Sequence, residues 1–306
     1  MEAVSVVTPN HVHFDPCRRA LEAGFPVICD KPMTFTVDEA KKLAALVKKT
    51  GLPFGLTHNY TGYPLVKQAR HLVKSGALGT IRKVVVNYPQ GWLSEKIEDS
   101  DQKQAAWRTD PKRSGISCCI GDIGTHCENL ASYVTGLEIE SLCADITTFV
   151  KGRPLEDDGG AFLKYKGGAK GILFASQISG GEENGLNIKV YGTKGSLSWV
   201  QVEPNVLWVY PGDGRSWQRV TTNMPDMTAP DARKAVRLPA GHPEGFIEAF
   251  ANLYLEFGRW VRDWQAGKKT RSANYDLPSV KDGLRGMEFV KALITNAKSS
   301  TKWSKV

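Results

Sequence analysis

The sequence predicts an α/β protein: a short parallel sheet with helical crossovers, then an α/β domain built on a large, mainly antiparallel sheet. Three observations carry this. Over residues 1–62 apolar runs alternate with helical patterns in steps of about 25 residues, the rhythm of strand, crossover helix and parallel strand. From residue 63 onward, period-2 runs separated by glycine turns dominate, which is the pattern of antiparallel hairpins. A helical segment at "GDIGTHCENLASYVTG" interrupts those runs and makes the second part α/β rather than all-β.

Taken in order, "AVSVVT" (3–8) reads as a buried strand, and "DPCRRALEAG" as a helix with Asp15 as N-cap, Pro16 at the first helical position and Gly24 as its stop. "FPVIC" is the next strand. "TVDEAKKLAALVKKTG" carries a capping box in Thr36 and Glu39, an apolar face in Leu43, Leu46 and Val47, and Gly51 at its end. "LPFGLTHN" is a third strand. "PLVKQARHLVKSGALG" is a helix, "TIRKVVVNY" a strand, and Gly167-Gly168 and Thr193–Gly195 are hairpin turns. Two helices, "GFIEAFANLYLEFGRWVRDW" and "VKDGLRGMEFVKALITNAK", end the chain. The chain opens directly on a strand and contains no G-x-G-x-x-G, so the expectation is a domain whose front is missing.

Composition narrows the function classes. With 306 residues and 41% hydrophobic content the chain can build substantial cores. Its net charge of +8 is scattered among acids without a basic run, which argues against a nucleic-acid partner. Six cysteines without C-x-x-C or zinc spacing suit a reduced, cytoplasmic protein, and Cys118, Cys119, His126 and Cys127 are poorly spaced for one tetrahedral ion, so no metal is expected. No apolar stretch reaches the ~18 residues of a membrane span.

Ligands of an open parallel sheet sit beyond the carboxyl ends of its strands. Three such corners hold polar or aromatic groups: "TPNH" (8–11), "CDKP" (29–32) and "THNY" (57–60). Asn10 and His11 read equally as a turn-forming Asn and a solvated His, and Tyr60 as interdomain packing or a stacking platform. Asp30 and Lys31, adjacent at a strand end, point to opposite sides and are free to meet different groups. A lysine at a cleft mouth can donate to a substrate hydroxyl and favour its alkoxide. Asp122 and His126 stand at i, i+4 on one face if the helix has begun at Asp122, which as a lone residue also reads as an N-cap. His126 is the natural proton acceptor, with a neighbouring carboxylate to hold it. Trp107 offers a sugar platform or a packing residue, and Arg108 an anion or carboxamide partner.

The segments "TPNHVHFDPCRRALEAGFPVICDKP", "GDIGTH" and "YGTKGSL", in this order and spacing, resemble the Gfo/Idh/MocA oxidoreductases, which include inositol and glucose-type sugar dehydrogenases. The resemblance covers essentially the whole chain. It implies that residues 1–62 are the C-terminal part of a Rossmann-type dinucleotide-binding domain, and that 63–306 form the α/β substrate and oligomerisation domain. Lys31 matches the lysine of the family's E-K-P motif, at the nicotinamide ribose and substrate, with Asp30 replacing the usual Glu. Asp122 and His126 match its substrate-orienting acid and general base. Asn10 and His11 match the segment lining the nicotinamide side, and Pro9, more loosely, the adenosine side. The expected cofactor-binding residues are thus Thr8, Pro9, Asn10, His11, Asp30, Lys31, Asn59 and Arg108. The substrate-binding residues are Lys31, Tyr60, Trp107, Asp122 and His126, and the catalytic ones Lys31, Asp122 and His126. The family's glycine-rich turn and the residue that selects NAD or NADP would precede Met1; NAD is favoured.

The resulting expectation is hydride transfer between a secondary hydroxyl of a sugar or cyclitol and NAD or NADP, by a homo-oligomer, dimer or tetramer. Two alternatives stand beside it: an NAD-retaining glycoside hydrolase of the same family, and a non-catalytic binding subunit.

Overall fold

A computed structural model describes residues 2–306. The parallel sheet is built from β1 (Val4–Val6), β2 (Val27–Cys29) and β3 (Phe54–Leu56), in the order β1-β2-β3. Helix α1 (Phe14–Glu22) links the first two strands and α2 (Val37–Thr50) the last two. β2 and β3 are buried throughout, as strands covered on both faces must be.

The capping box of α2 forms as expected, with Thr36 accepting from the Glu39 N–H, and the helix ends on Gly51 at φ 68°. The start of α1 differs from the expectation. The residue before the helix is His13, so Asp15 is not the N-cap and Pro16 is not the first helical residue. His13 takes this place with its Nε2 2.6 Å from the Thr8 carbonyl oxygen and its Nδ1 2.8 Å from that of Pro32, its single ring N–H donating to one of them. Asp15 instead pairs with Arg18 and Arg19 in the first turn, where its charge suits the helix dipole.

After α3 (Pro64–Lys74) comes β4 (Ile81–Pro89), then two short helices, α4 (Lys103–Arg108) and α5 (Pro111–Ser114), and α6 (Thr125–Thr135). The chain continues through β5 (Ile139–Thr147), β6 (Asp158–Tyr165), β7 (Lys170–Ser176), β8 (Asn187–Gly192), β9 (Ser196–Val200), β10 (Val206–Tyr210) and β11 (Gln218–Thr221). It ends with α7 (Pro230–Lys234), α8 (Phe246–Gln265), α9 (Val280–Ala297) and β12 (Ser304–Lys305). The second sheet has nine strands in the order β11-β10-β9-β8-β4-β7-β6-β5-β12, antiparallel except where β4 meets β7. One face packs on α3, α6 and α9 through the largest core cluster, which includes Tyr63, Trp199 and Phe289. The opposite face leaves Phe162, Tyr191 and Trp208 exposed.

The C-terminal helices return to the first sheet. Met287 of α9 joins the core beneath α1 and α2, while Leu253, Phe257 and Trp260 of α8 pack with Ile28 of β2. This docking needs a bare backbone at Gly62. A Cβ there would lie 2.1 Å from the Ala249 carbonyl oxygen of α8. Gly62→Ala is therefore expected to destabilise the protein by about 1–3 kcal/mol or more, read as a lower urea midpoint; an unchanged midpoint would show the contact to be soft.

The cysteines are free. Among the described residues no group of three or more His, Cys, Asp or Glu could hold a metal ion, and no helix is long and apolar enough to cross a membrane.

Candidate active site

The mouths of β1, β2 and β3 face the carboxyl end of β4, helix α4 and the segment from Asp122 to His126 across a cleft of about 460 Å³, within the usual size for small-molecule sites. Of the residues singled out from the sequence, Thr8, Pro9, Asn10, Asp30, Lys31, Asn59, Trp107, Arg108, Asp122 and His126 line it. His11 is exposed on the turn Asn10–Val12 and does not. Tyr60 lies behind the wall, its ring edge-on to His126 at 4.7 Å between centroids.

Asp30 and Lys31 do part company at the end of β2. Asp30 Oδ1 accepts from the Thr57 hydroxyl at 2.5 Å. Lys31, whose peptide bond to Pro32 is cis, sends its Nζ to the Asp122 carboxylate at 2.8 Å and to the Asp122 carbonyl at 2.6 Å. Asp122 Oδ2 also accepts from Arg108 Nε and from Gln177 Nε2, each at 3.0 Å. Burial alone would raise this carboxyl, but the charges and hydrogen bonds of Lys31 and Arg108 hold it well below the usual carboxylate range. The site therefore contains a fixed carboxylate that bridges two cations.

Asp122 does not sit on a regular helix. It lies in a π-helical turn, Ile120–Gly124, that precedes α6. The turn is anchored at its start, where backbone N–H groups lack helical partners. Glu156 accepts from the Ile120 N–H at 3.1 Å and from the Ser117 hydroxyl, and Ser117 Oγ accepts from the Gly121 N–H at 2.7 Å. The wide turn changes the expected pairing. No hydrogen bond joins Asp122 to His126, so the carboxylate orients Lys31 and Arg108 rather than the imidazole.

His126 is 6% exposed and packed among the rings of His58, Tyr60 and Tyr88. Its Nδ1 is buried without a hydrogen-bond partner. Burial, with the positive charge of Lys31 and the neighbouring His58, pushes its pKa well below the ordinary value, so the ring is neutral at physiological pH. A neutral imidazole at a cleft wall can accept a proton without first losing one.

Other residues of the wall, and Gln177 behind it, carried no readable signal. Tyr88, at the end of β4, bonds the Tyr60 hydroxyl and Asn184. Gln90 donates to Asn184 Oδ1 at 2.8 Å and accepts from Trp92 Nε1 at 3.1 Å. Gln177 follows β7 as Tyr88 and Gln90 close β4. The rule that sites gather at strand ends could have flagged all three had the parallel pairing of β4 and β7 been legible. The Arg108 guanidinium lies over the Trp107 ring at 4.2 Å, which makes Trp107 a partner of Arg108 as well as a wall residue.

Besides His126 Nδ1, two further buried polar atoms of cleft-lining residues have no partner: the acceptor Asn10 Oδ1 and the donor Asn59 Nδ2, on residues 6% and 3% exposed. Unmet groups of both kinds fit a ligand with hydroxyl and amide edges, as a nicotinamide riboside has.

Residues 1–58 match the model described as "Oxidoreductase family, NAD-binding Rossmann fold", and residues 66–198 match the GFO/IDH/MocA C-terminal domain. The uncharacterised oxidoreductase YfiI of Bacillus subtilis is 32% identical over 99% of this chain and 77% of its own. An inositol dehydrogenase homologue from Azotobacter vinelandii, solved with NAD+, superposes with a TM-score of 0.94 at 34% identity, over 100% of this chain and 78% of that one. The same homologue with NADH and myo-inositol gives a TM-score of 0.90 at 33% identity, over the same shares of the two chains. The chain thus belongs to the GFO/IDH/MocA family of oxidoreductases, and its fold is the family's Rossmann-like α/β arrangement.

Proposed function

We propose that this oxidoreductase oxidises a secondary hydroxyl of a sugar or cyclitol reversibly, with NAD as the favoured cofactor and NADP as the alternative. One observation carries the reading: Lys31 and Arg108 converge on the ionised Asp122 in a cleft whose wall includes a neutral His126. The family of the chain and the NADH and myo-inositol complex of its homologue support it. In this reading residues 1–62 serve the cofactor, and 63–306 the substrate and the contact between copies. The exposed face carrying Phe162, Tyr191 and Trp208 is the proposed site of that contact.

Thr8, Pro9, Asn10, Asp30, Lys31, Asn59 and Arg108 would hold the cofactor, the first three from the mouth of β1. When bound, the nicotinamide supplies the hydride acceptor. Lys31, kept in place by both oxygens it meets on Asp122, donates to the substrate oxygen and stabilises its developing negative charge. His126 takes the hydroxyl proton. Trp107 and Tyr60 shape the substrate side, Trp107 with its ring and Tyr60 by backing His126.

The decisive assay supplies the protein with NAD+ or NADP+ and a panel of sugars and cyclitols that includes myo-inositol. Reduced nicotinamide absorbance with at least one polyol is the expected result. Cleavage of a nitrophenyl glycoside without net reduction would replace this reading with the hydrolase, and binding without either reaction would leave a non-catalytic subunit.

A further inference from the structure

Asp122 is held by donors from three different places. Lys31 comes from the mouth of β2, Arg108 from the last turn of α4, and Gln177 from the residue that follows β7. These anchors differ in how firmly they are rooted. Arg108 ends a six-residue helix in which Ala105 alone is buried, and its nearest other partners, Gln104 and the Trp107 ring, are on that same helix. Gln177 is 0% exposed. Its N–H donates to the Asp157 carbonyl at 2.9 Å, and its carbonyl accepts from the Leu93 N–H at 3.0 Å.

The side-chain amide is fixed in direction as well as place. Its Oε1 accepts from the Cys118 thiol at 3.4 Å, and its Nε2 donates to Asp122 Oδ2 at 3.0 Å. Turning the amide over would set an oxygen against the carboxylate and leave the thiol facing an N–H group, so only one orientation satisfies both neighbours. Because Gln177 is uncharged, its contribution is directional: it fixes Oδ2 on the sheet side, which leaves Oδ1 turned to Lys31.

We propose that Gln177 is a positioning residue for the reaction, holding Asp122 so that its other oxygen keeps Lys31 aimed at the substrate wherever Arg108 goes when the cleft fills. This rests on the dehydrogenase reading of the cleft. It assigns separate tasks to the two donors that share Oδ2: Gln177 sets geometry, and Arg108 is available to ligand.

The test uses the full chain with Gln177→Leu and Gln177→Glu, in protein labelled with 13Cγ-aspartate, the Asp122 resonance being assigned by its loss in Asp122→Asn. In Gln177→Leu the Asp122 resonance should move at neutral pH, because the ionised carboxylate loses a hydrogen bond on Oδ2. The kcat should fall on the order of 10- to 100-fold, with the KM for cofactor little changed. Gln177→Glu keeps the shape of the side chain, so it carries the test should the leucine variant fail to fold. It can donate to Asp122 only when protonated, so its activity should be retained towards acid and lost as pH rises, a profile that a purely structural role would not produce. An Asp122 resonance at its wild-type position in Gln177→Leu, or a Gln177→Glu pH profile that superimposes on wild type, overturns the assignment. If wild type oxidises no polyol, the dehydrogenase reading fails, while the position of the Asp122 resonance still decides whether Gln177 positions Asp122.

Discussion

Lys31→Ala is expected to lower kcat/KM for polyol oxidation by about 10²–10³, the usual cost of removing one donor aimed at a developing oxyanion. The effect on stability should be smaller. Asp122 loses one of three donors but keeps Arg108 and Gln177, so its carboxylate is weakened rather than orphaned, at about 1–3 kcal/mol. Lys31→Arg should not restore the rate, because a planar guanidinium cannot place one compact charge between the Asp122 carboxylate and carbonyl. Steady-state kinetics with matched urea unfolding separates the two effects. Wild-type kcat/KM in Lys31→Ala would remove Lys31 from the mechanism.

His126→Ala is expected to cost about 10²–10⁴ in kcat, the range of a lost general base, and to alter the acid stability of the fold. His126 is kept neutral by burial well below its ordinary pKa, and burial pushes the neighbouring His58 down to about 3. In the unfolded chain both rings take up a proton near the ordinary value of about 6.5. Below that value the unfolded state binds more protons than the folded one, so stability is full above it and is lost as pH falls. Each histidine contributes a slope of about 1.4 kcal/mol per pH unit, in the case of His58 down to about 3. Asp122 adds a separate loss lower down: its folded pKa is depressed, so its contribution is present above the unfolded value and disappears as pH falls through the folded one. Urea midpoints measured across this range should fall steeply in wild type and less steeply in His126→Ala or His58→Phe. Equal slopes would mean that these rings are protonated in the folded state.

The strand mouths were legible because their signal is local: an apolar run that ends abruptly in polar groups, as at Cys29–Asp30–Lys31. The capping box of α2 was legible for the same reason. The first turn of α1 was not, since His13 owes its place to carbonyls of Thr8 and Pro32 that only the folded chain brings to it. The spacing of Asp122 and His126 suggested a dyad because i, i+4 residues share a face of an α-helix. A π-helical turn spends its residues differently, and its cause, a buried Glu156 beneath Ile120, lies 36 residues away. Lys31 and Asp122 meet across 91 residues, and Gln177 and Asp122 across 55. No periodicity encodes such meetings, so the residues were readable as candidates while their partners were not.

In the nine-stranded sheet, β4 and β7 run in the same direction, with Pro89 opposite Ser176. In a sheet that alternates throughout, neighbouring chains leave by opposite borders, and whatever follows one is a strand's length from whatever follows the next. This single seam makes two adjacent strands leave by the same border, with Gln90 and Gln177 as the next residues. One of these amides faces the polar wall of Asn184 and Trp92, and the other the carboxylate of Asp122. The seam therefore acts as a ruler: a change of register by two residues at this pair, which keeps every side chain on its face, would shift the spacing between the wall and the carboxylate without altering any residue that touches a ligand.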